Sequence, residues 1–170
     1  MMLVVHDPDW QRRFEEIADE LRRVGDRDWE IEHIGSTAVR GIRAKPIIDV
    51  AVRLRDDDGL ERHRAALEDA GWRLGSGVRS HRVMVFEGCG VRTRIAHFFA
   101  PEQWEHAHQR VFRDWLQQHP DDARRYERVK IEASADPSTY NSTKTAVVQE
   151  VMNRARSARG LPSVDVYDKR

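Results

Sequence analysis

Hydrophobic positions along the chain change their period once, near residue 101. Trp10, Phe14, Ile17, Leu21 and Val24 recur at intervals of three and four, the spacing of one helical face. Asp7-Pro8 in front of them offers a cap and a proline for the first helical position. Residues 29–34 then alternate with the period of a strand, and after a loop over 35–45 the run 46–54 reads as a central strand. Residues 58–70 form a short helix with Leu60, Ala66 and Leu67 inward and Gly71 as its stop. Further strands are expected over 72–74, 82–86 and 91–99, with Gly75-Ser76-Gly77 before the second and a compact Gly88-Cys89-Gly90 turn before the third. Past Pro101 the pattern predicts three helices, over 101–119, 120–134 and 138–158, punctuated by His119-Pro120 and Asp136-Pro137. Strands first and helices afterwards give an α+β fold. Residues 160–170 read as an extended, mobile tail unless a partner or groove holds them.

At 170 residues and 39% apolar content, one domain with one real core is expected, spanning 1–159. Lys plus Arg and Asp plus Glu both number 29, so the chain lacks the overall basic field that nonspecific nucleic-acid binding uses, although a local basic pocket stays open. A single cysteine, Cys89, excludes an intrachain disulfide and a thiolate metal cluster. Neither a secretory leader nor a membrane-length apolar run is legible, so a cytoplasmic protein without membrane partners is expected.

Candidate chemistry concentrates in residues 33–50, HIGSTAVRGIRAKPIIDV. Gly35, Ser36 and Thr37 can offer backbone N–H groups and hydroxyls to a phosphate, and Asp49 interrupts an apolar strand, where an acid needs a reason to be. A hard cation such as magnesium is one such reason. A plain turn with Asp49 on a solvated strand face is the other account. The next side chain on the same strand face is Ala51, so no second acid stands beside it. Asp56, Asp57 and Asp58 follow the strand and read as an exposed cap. Lys45 can balance phosphate charge, and His33 and His97 near strand ends are candidate ligands, bases or structural hydrogen-bonders. Arg94, with Arg92, alternates along the strand carrying His97; Arg113 is a candidate cleft residue or a solvated ion-pair partner. Tyr126 with Lys130, and Tyr140 with Lys144, are each one helical turn apart and can project together toward a ligand, or simply pack. His106 and His108 are too nearly opposite on a helix for a zinc site, and neither a Gly-x-Ser-x-Gly elbow nor a Walker loop is present.

Over residues 7–159 the chain resembles the GrpB family, a branch of the nucleotidyltransferase superfamily related to the DNA polymerase beta fold. Carrying the resemblance are the segment above, Arg94-Ile95-Ala96-His97-Phe98, Phe112-Arg113-Asp114-Trp115-Leu116, Tyr126-Glu127-Arg128-Val129-Lys130, and Tyr140 with Lys144. It implies a mixed or largely antiparallel nucleotidyltransferase-like sheet with flanking helices and a helical C-terminal part. It also implies transfer of a nucleoside monophosphate from a magnesium-bound nucleoside triphosphate, ATP being the expected one, to a small-molecule acceptor. Gly35, Ser36, Thr37 and Lys45 would hold phosphates, Asp49 and His97 would be the catalytic and metal residues, and His33, Arg94, Arg113, Tyr126, Lys130, Tyr140 and Lys144 would line the substrate. The departures are Ala51, where active superfamily members carry a second strand acid, and Phe99, where GrpB-like sequences often repeat the histidine. These leave two alternatives: a non-catalytic nucleotide- or metabolite-binding module, and an ATP-dependent carboxylate-activating amide ligase. Self-association through an exposed surface of the 104–115 segment is a third, structural account.

Overall fold

The Asp7 carboxylate accepts the N–H of Asp9 at 2.9 Å and starts α1 (Asp9–Val24), one residue later than the proline implied. This is a computed structural model, and it describes residues 2–76, 78–134 and 140–166, with the backbone alone for 140–143. Trp10, Ile17 and Leu21 are buried along α1, with Phe14 and Val24 half-buried beside them.

Among the described residues five strands form one sheet: β1 (Glu30–Ile34), β2 (Ile48–Arg53), β3 (Trp72–Leu74), β4 (Arg82–Gly88) and β5 (Val91–Phe99). Their order is β1-β2-β5-β4-β3, with β2 and β5 parallel and the other pairs antiparallel. The mixed sheet and the helical second half make the α+β class expected from the pattern. Cys89 at φ 52° and Gly90 at φ 75° supply the left-handed pair that a tight β4–β5 turn requires.

Alternation divides the sheet into two unlike faces. Ile31, Ile48, Val50, Val52, Met84 and Phe98 pack against α1 and against Leu60 and Leu67 of α2 (Gly59–Asp69), forming the main core. Ala66 is exposed, not inward. At 100° per residue it lies well off the Leu60–Leu67 line, and His63 instead packs edge-on against Trp29 at 5.4 Å.

On the other face Ile34, Ala51 and Phe99 meet Trp104 and Ala107. This contact divides the helix expected over 101–119. Residues Pro101–His106 wind as a 3₁₀ turn, Ala107 takes an extended angle (φ −56°, ψ 118°), and α3 (His108–Gln118) then starts afresh. The break allows Trp104 and Ala107 both to face the sheet. α4 (Pro120–Ser134) and α5 (Tyr140–Ser157) complete the layer, where Leu116, Tyr126 and Val151 contribute to a second core.

As far as residue 166 the tail is extended and held by hydrogen bonds. Arg156 Nε donates to Pro162 O at 2.7 Å, Val164 N–H to Asn153 Oδ1 at 3.0 Å and Val166 N–H to Gln149 Oε1 at 2.8 Å, so the chain runs back along α5. Among the described residues no helix is long and apolar enough to cross a membrane.

Leu21 has no exposed surface at the centre of the main core. Leu21→Ala should cost about 2–5 kcal/mol, read as a lower urea midpoint with an unchanged denaturant slope.

Candidate active site

Gly35 follows β1 with φ 73° and ψ −172°, a backbone conformation open essentially to glycine alone. A Cβ there would lie 2.4 Å from Asp49 Oδ2, so the loop backbone rests directly against the Asp49 carboxylate. Residues Ser36–Ala38 then form a 3₁₀ turn, closed by Ala38 N–H to Gly35 O and Val39 N–H to Ser36 O, both at 3.3 Å. Thr37 is 2% exposed; its hydroxyl donates to Ile47 O at 3.2 Å and meets His33 Nε2 at 3.0 Å. Thr37 thus fastens the loop to the entry of β2, and its hydroxyl does not offer itself to a phosphate. Ser36 does face the open side, with Oγ 3.5 Å from Tyr126 OH.

That open side is a cavity of about 500 Å³ between the sheet and the C-terminal helices. Gly35, Ser36, Asp49, His97, Tyr126 and Lys144 line it, and Asp49 is the only acid in its lining among the described residues. The parallel pairing of Ala51 with His97 aims the His97 ring back along the sheet, and its Nε2 comes to 3.9 Å from Asp49 Oδ1. On its other side His97 Nδ1 is 2.7 Å from His81 Nε2, and His81 Nδ1 is 2.9 Å from Ser80 Oγ. The sequence pattern did not find His81 or Ser80. The β4–β5 register carries them there: His97 stands opposite Val83, two residues from His81 and so on the same face.

Cationic and phenolic groups surround the acid. Burial lowers the Lys144 amine below its ordinary range, with Asp49 opposing. Lys130 lies deeper, its Nζ donating to Arg43 O at 2.6 Å and standing 4.8 Å from the centre of the Tyr126 ring; burial, then Lys144, brings it down to about 7. Burial, then Asp49, pushes the Tyr126 hydroxyl up to about 12 against the Ser36 contact. Lys45 is half-buried close enough to Lys130 to lower its pKa.

Other expected site residues lie elsewhere. Arg94 points to the opposite face, pairing with Glu20 of α1 at 2.7 Å and covering the Phe86 ring. Arg113 donates to His33 O and to Glu32, each at 2.6 Å, and with Arg110 ties α3 to β1. Burial raises the Glu32 carboxyl, but the two guanidiniums outweigh it and hold the acid below its ordinary value. His33 stacks on Phe14 at 5.0 Å on the α1 side. Glu87 pairs with Arg92 beside the hairpin turn. Asp56 accepts both Arg62 terminal nitrogens at 2.8 Å and receives the Asp58 N–H, the expected exposed cap. The Tyr140 side chain lies outside the described residues.

Among the described residues no three His, Cys, Asp or Glu side chains could hold a metal together. Ala51, where a second acid would stand, is fully buried beneath Trp104 and Phe99. A carboxylate in a pocket with room for phosphate oxygens fits one magnesium ion, which takes its other ligands from substrate and water; the set does not fit two.

A family model described as GrpB protein matches residues 1–154. The chain belongs to the GrpB family. This GrpB protein is 33% identical over 165 residues to UPF0157 protein BH1888 of Halalkalibacterium halodurans, covering 91% of this chain and 82% of that one. The crystal structure of conserved protein GrpB from Enterococcus faecalis matches with a TM-score of 0.83 at 25% identity, covering 94% and 99% of the two chains. Terminal uridylyl transferase 4 from Trypanosoma brucei, with bound dUTP, shares the fold at a TM-score of 0.51 and 14% identity, over 88% of this chain and 55% of that one. The GrpB fold here is therefore nucleotidyltransferase-like, as the resemblance implied.

Two outcomes follow from this geometry. His33 is held down to about 4 from 6.5 mainly by burial, so the unfolded chain binds the extra proton between those values. The stability its neutral form supplies is complete above about pH 6.5 and lost toward pH 4; urea midpoints should fall less across that window in His33→Gln than in the wild type. Ala51→Asp should cost about 3 kcal/mol or more in the same assay, because the sealed position offers a carboxylate no cation.

Proposed function

We propose that this GrpB protein is a magnesium-dependent nucleotidyltransferase that moves a nucleoside monophosphate from a nucleoside triphosphate, ATP first among them, to a small-molecule acceptor. The observation that supports it is the Gly35–Asp49 contact: a glycine backbone and a partly exposed carboxylate meet in a cavity whose other ionisable lining is histidine, tyrosine and lysine. A volume of about 500 Å³ is that of a small-molecule site.

Gly35 and Ser36 would bind the triphosphate with backbone N–H groups and a hydroxyl, and Lys144, with Lys130 and Lys45 behind it, would favour its charge. Asp49 and phosphate oxygens would hold the ion, which supplies charge neutralisation at the phosphates when bound. Magnesium prefers oxygen ligands, so His97 is assigned to the proton and not to the ion. An acceptor oxygen attacks the α-phosphorus while its proton passes to His97 Nε2. The bond from the α-phosphorus to the bridging oxygen of the β-phosphate breaks, and pyrophosphate leaves. A reducing cytoplasm, which supplies ATP and magnesium, suits a chain with one free cysteine, Cys89.

The sealed Ala51 favours a second reading, a nucleotide-binding module that does no chemistry. Incubation with nucleoside triphosphates and pooled metabolite acceptors, with and without magnesium, separates the two. Pyrophosphate and a nucleotidylated product mass are expected with magnesium, and Asp49→Asn should reduce both about 100-fold or more while remaining folded. Tight binding without turnover supports the module, and absence of any nucleotide binding rejects both.

A further inference from the structure

The reaction assigned to His97 needs a bare Nε2 lone pair, and the His81 ring stands 2.7 Å from the other nitrogen of His97. A neutral imidazole carries one N–H. At 3.9 Å from Asp49 Oδ1, His97 Nε2 is beyond hydrogen-bonding distance, whereas Nδ1 is 2.7 Å from His81 Nε2. Either His97 Nδ1 or His81 Nε2 can carry the proton of that short bond, and with it on His97 Nδ1 the lone pair of Nε2 faces the cavity. An acceptor hydroxyl about 2.8 Å from His97 Nε2 can then donate its proton there.

We infer that His81 is the positioning residue for His97: it accepts the Nδ1 proton, fixes the tautomer and holds the ring so that Nε2 meets the acceptor hydroxyl. His81 is itself held. Its Nδ1 lies 2.9 Å from Ser80 Oγ, to which it donates when Nε2 accepts from His97, its ring lies 4.3 Å from that of Phe99, and the Ser80 carbonyl accepts Gln103 Nε2 at 2.9 Å. Gln103 Oε1 in turn accepts the Ala100 N–H at 3.1 Å, anchoring the line to the segment that follows β5. The order is the one by which nucleophile, base and orienting group work together: acceptor hydroxyl, His97, His81. The assignment rests on the transfer reading, whose base needs that lone pair.

Long-range proton–nitrogen NMR of the full-length ¹⁵N-labelled protein reads the tautomer directly, with His97→Gln assigning the signals. Wild type should show His97 protonated at Nδ1. His81→Phe, which keeps a ring against Phe99 but removes the acceptor, should move His97 toward the Nε2-protonated form. It should also lower kcat about 100-fold, with KM for the triphosphate within about twofold. His81→Gln, whose side-chain oxygen can accept the Nδ1 proton, should restore the wild-type tautomer and much of kcat. A wild-type His97 protonated at Nε2 overturns the proposal even if no variant folds, as does an unchanged tautomer in folded His81→Phe. A rise in KM with kcat intact overturns it too, making His81 a binding residue. If wild type turns over no nucleotide with any acceptor, the transfer reading fails while the tautomer spectra still decide the role of His81.

Discussion

Gly35 lacks a Cβ, and one placed there would stand 2.4 Å from Asp49 Oδ2. Much of the site follows from that close approach. The loop can lie against the carboxylate only with a residue that tolerates φ 73° and ψ −172° and carries no side chain. Once there, it is fixed from beneath by Thr37, whose hydroxyl joins Ile47 O to His33 Nε2. Asp49 is thereby roofed by backbone while its side chain keeps 25% of its surface open. The parallel pairing of β2 with β5 then brings His97 to it from the neighbouring strand.

The same sheet face holds two environments a few residues apart. Toward one end Asp49 and His97 open into the cavity; toward the other Ala51 and Phe99 are closed by Trp104 and Ala107. The broken helix at Ala107 makes that closure, and Arg110, above Trp104 at 4.0 Å and paired with Glu32, fastens it to β1. Position 51 is thus taken up by a hydrophobic contact, and Asp49 is left as the one acid in the cavity lining among the described residues. Histidines supply the rest: His97 beside the acid, and His81 behind it.

Strands and helices were legible because their periods differ and because glycine and proline mark their ends. Asp49 was legible as an acid in an apolar strand, and Gly35 and Ser36 as the loop before it. What escaped depended on register and on neighbours distant in sequence. Arg94 alternates correctly along its strand, yet sequence does not say which face is the site, and the Glu20 partner on α1 is 74 positions away. His81 became visible only when β4 was paired with β5. Ala66 and the 101–119 helix failed for a packing reason, since the positions of Trp29 and Ala51 decide which residues turn inward. Thr37 matched a phosphate loop by composition, but its hydroxyl is engaged inside the protein.

The proposed transfer depends most on a triphosphate meeting the Gly35–Asp49 junction. A crystal structure with magnesium and a nucleoside triphosphate analogue that resists cleavage between its α and β phosphates tests this most directly. It should show phosphate oxygens against the Gly35 and Ser36 backbone, a single ion on Asp49, and Ala51 still covered by Trp104. Phosphates bound away from that loop, or a bound analogue leaving the Asp49 carboxylate without ion or phosphate neighbours, would contradict it.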